Sequence, residues 1–223
     1  MMRNRLILGA LAMLVIAAMV TWRWSLGWHP DAARFPVQGL TVAAHDGTVD
    51  WGMVRARGAD FAFITASSGT TRDPAFEGNW NGAHAVGLRH GALHVFSLCE
   101  PTADQVTAYL TTVPRAADAL PAALALDFTD GCDARPTRAQ VLTAIRGFLA
   151  PAEYHDGRPM VLRISPAFED EYRVSEAIVR PLWATGRFRE PDYLARSWRM
   201  WQANPARTID GVAEPVAWSV AAP

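Results

Sequence analysis

The chain has 223 residues, about half of them hydrophobic, which suits one large globular domain with a sizeable core. Its formal net charge is −1, so no overall positive field points to nucleic acid as a partner. No pair of side chains has metal-ligand spacing, and the loop Ala66–Thr71 lacks the phosphate-binding glycine pattern. We therefore expect no metal and no cofactor.

The N-terminal residues 1–28 have the layout of an export signal. Arg3 and Arg5 precede an apolar run from Leu6 to Val20, and several tryptophans follow. The small-residue cleavage site at Ala17–Val20 is poor, which favours an uncleaved signal anchor or transmembrane segment over a cleaved signal. We predict a bacterial cell-envelope protein, anchored in the inner membrane with a periplasmic or extracytoplasmic domain, or secreted if the signal is cleaved. A buried helix of a soluble protein is the alternative.

After a polar linker at residues 29–36, apolar runs typical of strands alternate with helical spacing. Strands are predicted at Gly39–Ala43, Phe61–Thr65, Gly91–Ser97, Ala122–Phe128, Met160–Ile164, Leu182–Ala184, Arg199–Gln202 and Val216–Trp218. Helices are predicted at Trp51–Arg57, Phe76–Val86, Ala103–Val113, Thr137–Leu149 and Pro166–Val179. This alternation predicts an α/β fold over residues 37–223, a modified TIM-like (β/α) barrel with reduced helices in the last strands.

The two cysteines, Cys99 and Cys132, each lie in a loop just beyond a predicted strand. An even cysteine count in an exported protein favours a disulfide between them, and two inert buried thiols are the alternative.

Several sequence blocks occur in the order expected of one known family. They begin with GLTVAAHDGTVDW, from Gly39 to Trp51, and continue with the stretches 61–76, 79–99 and 124–136 and the terminal WQANPARTIDGVAEPVAWSV. Together they resemble glycoside hydrolase family 25, the Chalaropsis-type lysozymes, over nearly all of residues 36–221. The resemblance implies an N-acetylmuramidase that cleaves β-1,4 bonds of peptidoglycan, with acidic residues around the mouth of the barrel.

The acidic residues of that family are mostly replaced in this chain. Thr41, Ser68, Thr129 and Ala217 stand where the resemblance implies carboxylates, and Asp127 alone is retained. Residues 127 and 129 are two apart on a predicted strand and should face the same side, toward the mouth. A hydroxyl cannot protonate a leaving oxygen near neutral pH, and loss of proton transfer alone costs about two to four orders of magnitude.

We therefore expect a lysozyme-like cell-wall protein that is degenerate, a weakly active or inactive pseudoenzyme that binds peptidoglycan or another cell-wall glycan. The alternative is an active N-acetylmuramidase in which Asp46 or Asp130 has taken over as the acid. A structural envelope protein without glycan affinity is a third possibility, and the sequence identifies no protein partner.

Candidate glycan contacts are His45, His94, Trp183 and Trp201, although a histidine or tryptophan on an apolar strand is more often part of the packing. By the resemblance, Leu93, Leu162, Ala203 and Ser219 also replace polar residues that line the family's site.

Overall fold

The computed structural model describes residues 2–223, with side chains described from Leu11 onward. The helices are α1 (Met2–Gly27), α2 (Trp51–Ala56), α3 (Phe76–Ala85), α4 (Thr102–Thr112), α5 (Arg138–Asp156), α6 (Pro166–Tyr172) and α7 (Val174–Ala177), with a 3₁₀ turn at Ala44–Asp46. The strands are β1 (Gln38–Val42), β2 (Phe61–Ser68), β3 (Thr71–Arg72), β4 (Arg89–Val95), β5 (Ala123–Leu126), β6 (Val161–Ile164), β7 (Leu182–Thr185), β8 (Met200–Arg207) and β9 (Val216–Ala221).

Within residues 2–223, eight strands form a closed barrel. The order runs β1-β9-β8-β7-β6-β5-β4-β2, and parallel pairing of β1 with β2 closes the ring. The short β3 forms a hairpin with β2 outside the ring. β9 runs antiparallel to both neighbours, so the strands are not all parallel. The predicted α/β barrel is confirmed, as is the small amount of helix among the last strands, while the antiparallel β9 departs from the TIM-like pattern.

Hydrophobic residues fill two layers, because each strand is covered on both faces. One layer lies between the strands and the surrounding helices. The other fills the barrel interior and includes Phe61, Phe63, Leu93, Val161 and Trp183. The rings of Phe63 and Trp183 lie 4.8 Å apart between centroids, so the interior below the mouth is solidly packed.

Gly39 allows β1 and β2 to lie close to each other in the barrel. A Cβ built on Gly39 would lie 2.1 Å from the carbonyl oxygen of Phe61, a backbone atom that cannot move aside. Any side chain here would disrupt the ladder that closes the ring, which explains why the opening block begins with glycine.

The end of α1 contacts the barrel. The Nδ2 amide of Asn204 donates hydrogen bonds to the carbonyl oxygens of Ser25 and Trp28, and Trp28 packs edge-on against Phe188 and Trp201. The last turn of the predicted N-terminal segment is therefore tied to β8.

The predicted membrane anchor spans residues 1–28, and the side chains of its first ten residues lie outside those described. Among the residues that are described, no helix is both long enough and apolar enough to cross a bilayer. The predicted anchor stays a prediction.

A disulfide joins Cys99, which follows β4, to Cys132, which follows β5. The Cα atoms of the two residues are 5.8 Å apart. The predicted disulfide is confirmed, and it links the loops after two neighbouring barrel strands.

Candidate functional site at the mouth of the barrel

A cavity of about 430 Å³ opens at the end of the barrel where the parallel strands terminate. Barrels of parallel strands carry their functional groups at this end, since the connecting loops converge there. The residues that line the cavity include Thr41, Asp46, Ser68, Asp73, Arg163 and Ala217. Three of the four positions at which the sequence lacks an expected acid are thus gathered around one cavity.

Thr41, Ser68 and Ala217 reach the cavity from three strands. Thr41 near the end of β1 pairs directly with Ala217 of β9, and Ser68 is the last residue of β2. The Thr41 hydroxyl oxygen is buried and, among the described residues, has no hydrogen-bond partner. Two hydroxyls and a methyl group therefore occupy wall positions where acid–base chemistry would need carboxyls.

Asp127 and Thr129 do not follow the strand geometry expected from the sequence. β5 ends at Leu126, so the alternation that would turn both side chains to the mouth does not continue through them. Asp127 is exposed and its carboxylate accepts a hydrogen bond from the Phe128 amide, whereas Thr129 does not line the cavity. The shared mouth-facing surface of these two residues therefore stays a prediction, because the ladder stops before them.

Asp46 is the carboxyl most deeply placed in the cavity wall. It ends the 3₁₀ turn after β1, is only 6% exposed, and accepts a hydrogen bond of 2.7 Å from the Ala43 amide. His45 Nε2 lies 3.5 Å from Asp46 Oδ1. Burial raises the pKa of Asp46, against the lowering effects of the Ala43 amide and His45, and the charges of Asp73 and Glu214 raise it further.

Asp73 also lines the cavity, although its two oxygens are already engaged. Oδ2 accepts from the Ala44 amide at 2.9 Å and Oδ1 accepts from the Ala75 amide at 2.8 Å. These bonds tie the loop after β1 to the start of α3, so Asp73 supports the rim of the cavity.

The remaining predicted site residues are dispersed. Asp130 is exposed in the turn before Cys132 and does not line the cavity. Of the candidate glycan contacts, His45 lines the cavity with a side chain that is 84% exposed. His94, Trp183 and Trp201 are buried, at 0%, 0% and 2% exposure, and cannot touch a glycan from these positions.

His94 and Trp201 have packing roles instead. His94 stacks on Phe148 of α5 at 4.4 Å between ring centroids and bonds to Ser67 and Gln105. Trp201 lies among Phe35 and other aromatic residues on the outer side of β8. Of the further replaced positions, Leu93 lines the cavity, whereas Leu162, Ala203 and Ser219 are fully buried and do not.

Arg163 is one of the cavity residues that the sequence analysis did not single out, as are Asp73 and Gln202. It lies on β6 between Ala125 and Trp183 of the neighbouring strands, and its guanidinium is 5.6 Å from the centre of the Trp183 ring. Burial lowers its pKa to about 10, and the charge of Asp127 acts in the opposite direction. The sequence does contain a signal for Arg163, because it is the single charged residue in the otherwise apolar strand VLRI. Charged side chains are rare in the interior of a protein unless they are paired or bind a ligand.

The mouth therefore contains an arginine, a histidine, three hydroxyls (Thr41, Thr65 and Ser68), an amide in Gln202 and two carboxyls. Among the described residues, no group of three or more His, Cys, Asp or Glu side chains could hold a metal ion. The cavity is suited to hydrogen bonding with a polar ligand, and it lacks paired carboxyls on facing strands.

The sequence of this chain is similar to a known protein family and to individual proteins. Residues 41–212 match the sequence model of the Glycosyl hydrolases family 25. The chain is 28% identical to the Escherichia coli protein YegX over 84% of this chain and 70% of that protein. It is 36% identical to Lysozyme M1 of Streptomyces globisporus over 37% of this chain and 30% of that enzyme.

Solved structures share the fold. A family 25 glycosyl hydrolase from Bacillus anthracis superposes with a TM-score of 0.79 at 26% identity, covering 87% of this chain and 92% of that one.

Proposed function

The chain belongs to glycosyl hydrolase family 25, and from that membership we propose that it binds peptidoglycan glycan strands at the barrel mouth without hydrolysing them efficiently. The observation that supports this function most directly is the wall of the cavity, where Thr41, Ser68 and Ala217 stand in place of acids. Peptidoglycan lies outside the cytoplasm, so an extracytoplasmic or secreted location follows from the proposal. Attachment to a membrane through residues 1–28 stays a prediction.

The chemistry of glycoside hydrolysis explains why this wall opposes turnover. Cleavage needs one protonated carboxyl to donate to the leaving oxygen, and a second carboxylate or a substrate group to stabilise the cation that develops. Neither a hydroxyl nor a methyl group can supply a proton or a full negative charge. A cation such as Arg163 beside the cavity further disfavours positive charge on the sugar ring.

Binding does not need those acids. The cavity keeps hydrogen-bonding groups in Thr41, Ser68 and Gln202, and His45 at its rim is accessible. Pockets with a few convergent polar groups on an apolar frame suit small polar ligands such as sugars.

One observation favours a second candidate, a muramidase that uses Asp46 as its acid. Asp46 lines the cavity, and burial raises the pKa of its carboxyl toward the range in which it can carry a proton. The other lining carboxyl, Asp73, has both oxygens bonded to backbone amides, so this mechanism would rely on a substrate group for the second role.

Two measurements on the same preparation of the full chain test these functions. Co-sedimentation with purified sacculi reports binding, and release of reducing ends reports hydrolysis. We expect co-sedimentation, together with hydrolysis about two to four orders of magnitude below that of a family lysozyme assayed in parallel.

The variant Asp46→Asn separates the candidates, because asparagine can still accept the Ala43 hydrogen bond but cannot donate a carboxyl proton. Robust hydrolysis that Asp46→Asn abolishes, and that Asp130→Asn leaves intact, would establish the second candidate. Absence of both binding and hydrolysis in a folded protein would refute both.

A further inference from the structure

We propose that the mouth of the barrel binds an oxyanion, a carboxylate or phosphate group carried on the glycan, with Arg163 as its counter-ion. The inference rests on the proposed glycan-binding function and names the chemical group that is recognised there.

The position of Arg163 on β6 directs its side chain into the barrel. Val161, two residues earlier on the same strand, packs in the barrel interior with Phe63 and Trp183. Side chains two apart on a strand share a face, so Arg163 points to the same interior one layer closer to the mouth. Its place in the cavity wall agrees with this direction.

The charge of Arg163 is not compensated within the protein. Among the described residues, none forms an ion pair or a hydrogen bond with its guanidinium, and the charge of Asp127 acts on it only from beyond ion-pair distance. With a pKa of about 10 the group keeps its positive charge at neutral pH. The side chain is partly buried, and withdrawing a charge from water without a partner is costly, a cost that an anionic ligand would offset.

Some buried polar groups of the barrel have no hydrogen-bond partner. Thr41 Oγ1, Ser219 Oγ and Trp183 Nε1 are all buried and, within the described chain, have no hydrogen-bond partner. Trp183 is the strand neighbour of Arg163, and Ser219 pairs with Gln202, which lines the cavity. Trp183 and Ser219 do not line the cavity, so the contact to the oxyanion falls to the planar guanidinium of Arg163, which can bind it through two parallel N–H groups.

The carboxyls of the cavity belong to a different part of its rim. Asp46 and Asp73 are held by backbone amides of the loop after β1 and the turn before α3. β6 stands four strands from β1 in either direction around the ring of eight. The anionic group of a bound glycan is therefore expected on the β6 side, away from both carboxyls.

Two sources can supply such an anion to a cell-wall protein. One is the lactyl carboxylate of an N-acetylmuramic acid residue that carries no stem peptide, since the peptide would occupy this carboxyl as an amide, and the other is phosphate, free or on a wall polymer. The shared chemistry is an oxyanion, and the probes below separate the sources.

The experiment compares three probes by titration calorimetry on the full chain. They are the disaccharide of N-acetylglucosamine and N-acetylmuramic acid, the same disaccharide with its carboxyl reduced to an alcohol, and inorganic phosphate. The variants are Arg163→Met, which removes the charge, and Arg163→Lys, which keeps the charge but loses the planar fork. Arg89→Met is the matched control, since Arg89 lies by the apolar pocket at the opposite end of the barrel.

For the wild type and Arg89→Met we expect the carboxylated disaccharide to bind at least about tenfold more tightly than its reduced form. Arg163→Met is expected to abolish this preference, and Arg163→Lys to keep part of it. Equal binding of the two disaccharides to the wild type, or a preference that survives Arg163→Met, would overturn the inference.

The remaining outcomes separate the inference from the proposed function. Phosphate binding that depends on Arg163, with neither disaccharide bound, would support the anion site and refute glycan binding. Binding of both disaccharides without a preference for the carboxylated one would support glycan binding and refute the anion site. Thermal unfolding without ligand tests for a purely structural role, because replacing an unpaired, partly buried cation with Met should leave the melting temperature unchanged or raise it. A marked fall in melting temperature for Arg163→Met alone would show that Arg163 serves the fold.

Discussion

Lowering the pH should destabilise the fold through His94. The side chain is fully buried, and desolvation lowers its pKa to about 4 from an ordinary value of 6.5, while Gln105 and Glu100 act to raise it. The neutral ring suits its surroundings. The Gln105 amide donates to the carbonyl oxygens of Ser97 and Glu100, so its oxygen faces His94 Nε2 and accepts from it. His94 Nδ1 is then free to accept from the Ser67 hydroxyl at 2.8 Å.

The sign and size of the effect follow from proton linkage. Between pH 6.5 and 4 the unfolded chain binds a proton at this histidine and the folded chain does not, so stability falls as the pH is lowered. The contribution of His94 is fully present above pH 6.5 and is lost by about pH 4. A shift of about 2.5 units corresponds to about 3 kcal/mol, a large share of a typical stability of about 5–15 kcal/mol.

Urea unfolding of the wild type and His94→Gln at pH 7.0 and 4.5 measures this contribution. Glutamine does not titrate and can keep both hydrogen bonds, so the difference in unfolding free energy between the two pH values should shrink by about 2–3 kcal/mol in the variant. Asp46 and Asp156 have pKa values raised mainly by burial, so they contribute to the pH dependence of stability with the opposite sign. Their contributions are the same in the wild type and the variant, and they cancel when the pH dependence of the two proteins is compared.

His84→Gln is the matched control, because His84 is a histidine with a 64% exposed side chain. It should leave the pH dependence close to that of the wild type. The same dependence in His94→Gln as in the wild type would refute the assignment of a buried neutral imidazole.

Three further outcomes are expected. Replacing Cys99 and Cys132 with serine opens a loop with a sequence separation of 33 and should lower the unfolding free energy by about 4 kcal/mol, with an unchanged stability contradicting the role of the disulfide. Thr137→Ala removes the side-chain cap of α5 and should cost about 1 kcal/mol in denaturant unfolding, whereas Thr137→Ser should be neutral. Thr41→Asp combined with Ser68→Glu should raise reducing-end release from sacculi by about 100-fold, and a folded double variant with wild-type activity would show that more than the acids has changed.

The element order was predictable because apolar periodicity in the chain reports which residues are buried. The strands around Phe61–Phe63 and Met160–Ile164 and the helix that begins after Thr137 all appear where expected. The lengths of the helices and strands were less predictable than their order. The helix after Thr137 continues through Pro151 to Asp156, since packing of its inner face outweighs the loss of one hydrogen bond.

The mouth shows where sequence reasoning was limited. A strand ends where its neighbours stop pairing, and no local pattern in AALALDF indicates that the β5 ladder stops at Leu126. Asp127 therefore lies beyond the strand whose alternating side-chain directions were used to predict its orientation. Asp46 was identified from the sequence as a possible acid, but its burial, which is the main cause of its raised pKa, depends on how the chain folds around it.

The sequence alone indicated the family, favoured the disulfide and predicted the loss of carboxyls at Thr41, Ser68 and Ala217, because each of these depends on residue identity within a recognisable block. Only the tertiary structure decided which polar groups meet. Thr41, Arg163 and Gln202 are far apart along the chain and belong to three strands of the ring, and closure of the barrel gathers them around one cavity. Strand register and barrel closure depend on the pairing of all the strands together, and they set the position of Arg163. The sequence by itself shows Arg163 only as a charged residue in an apolar strand.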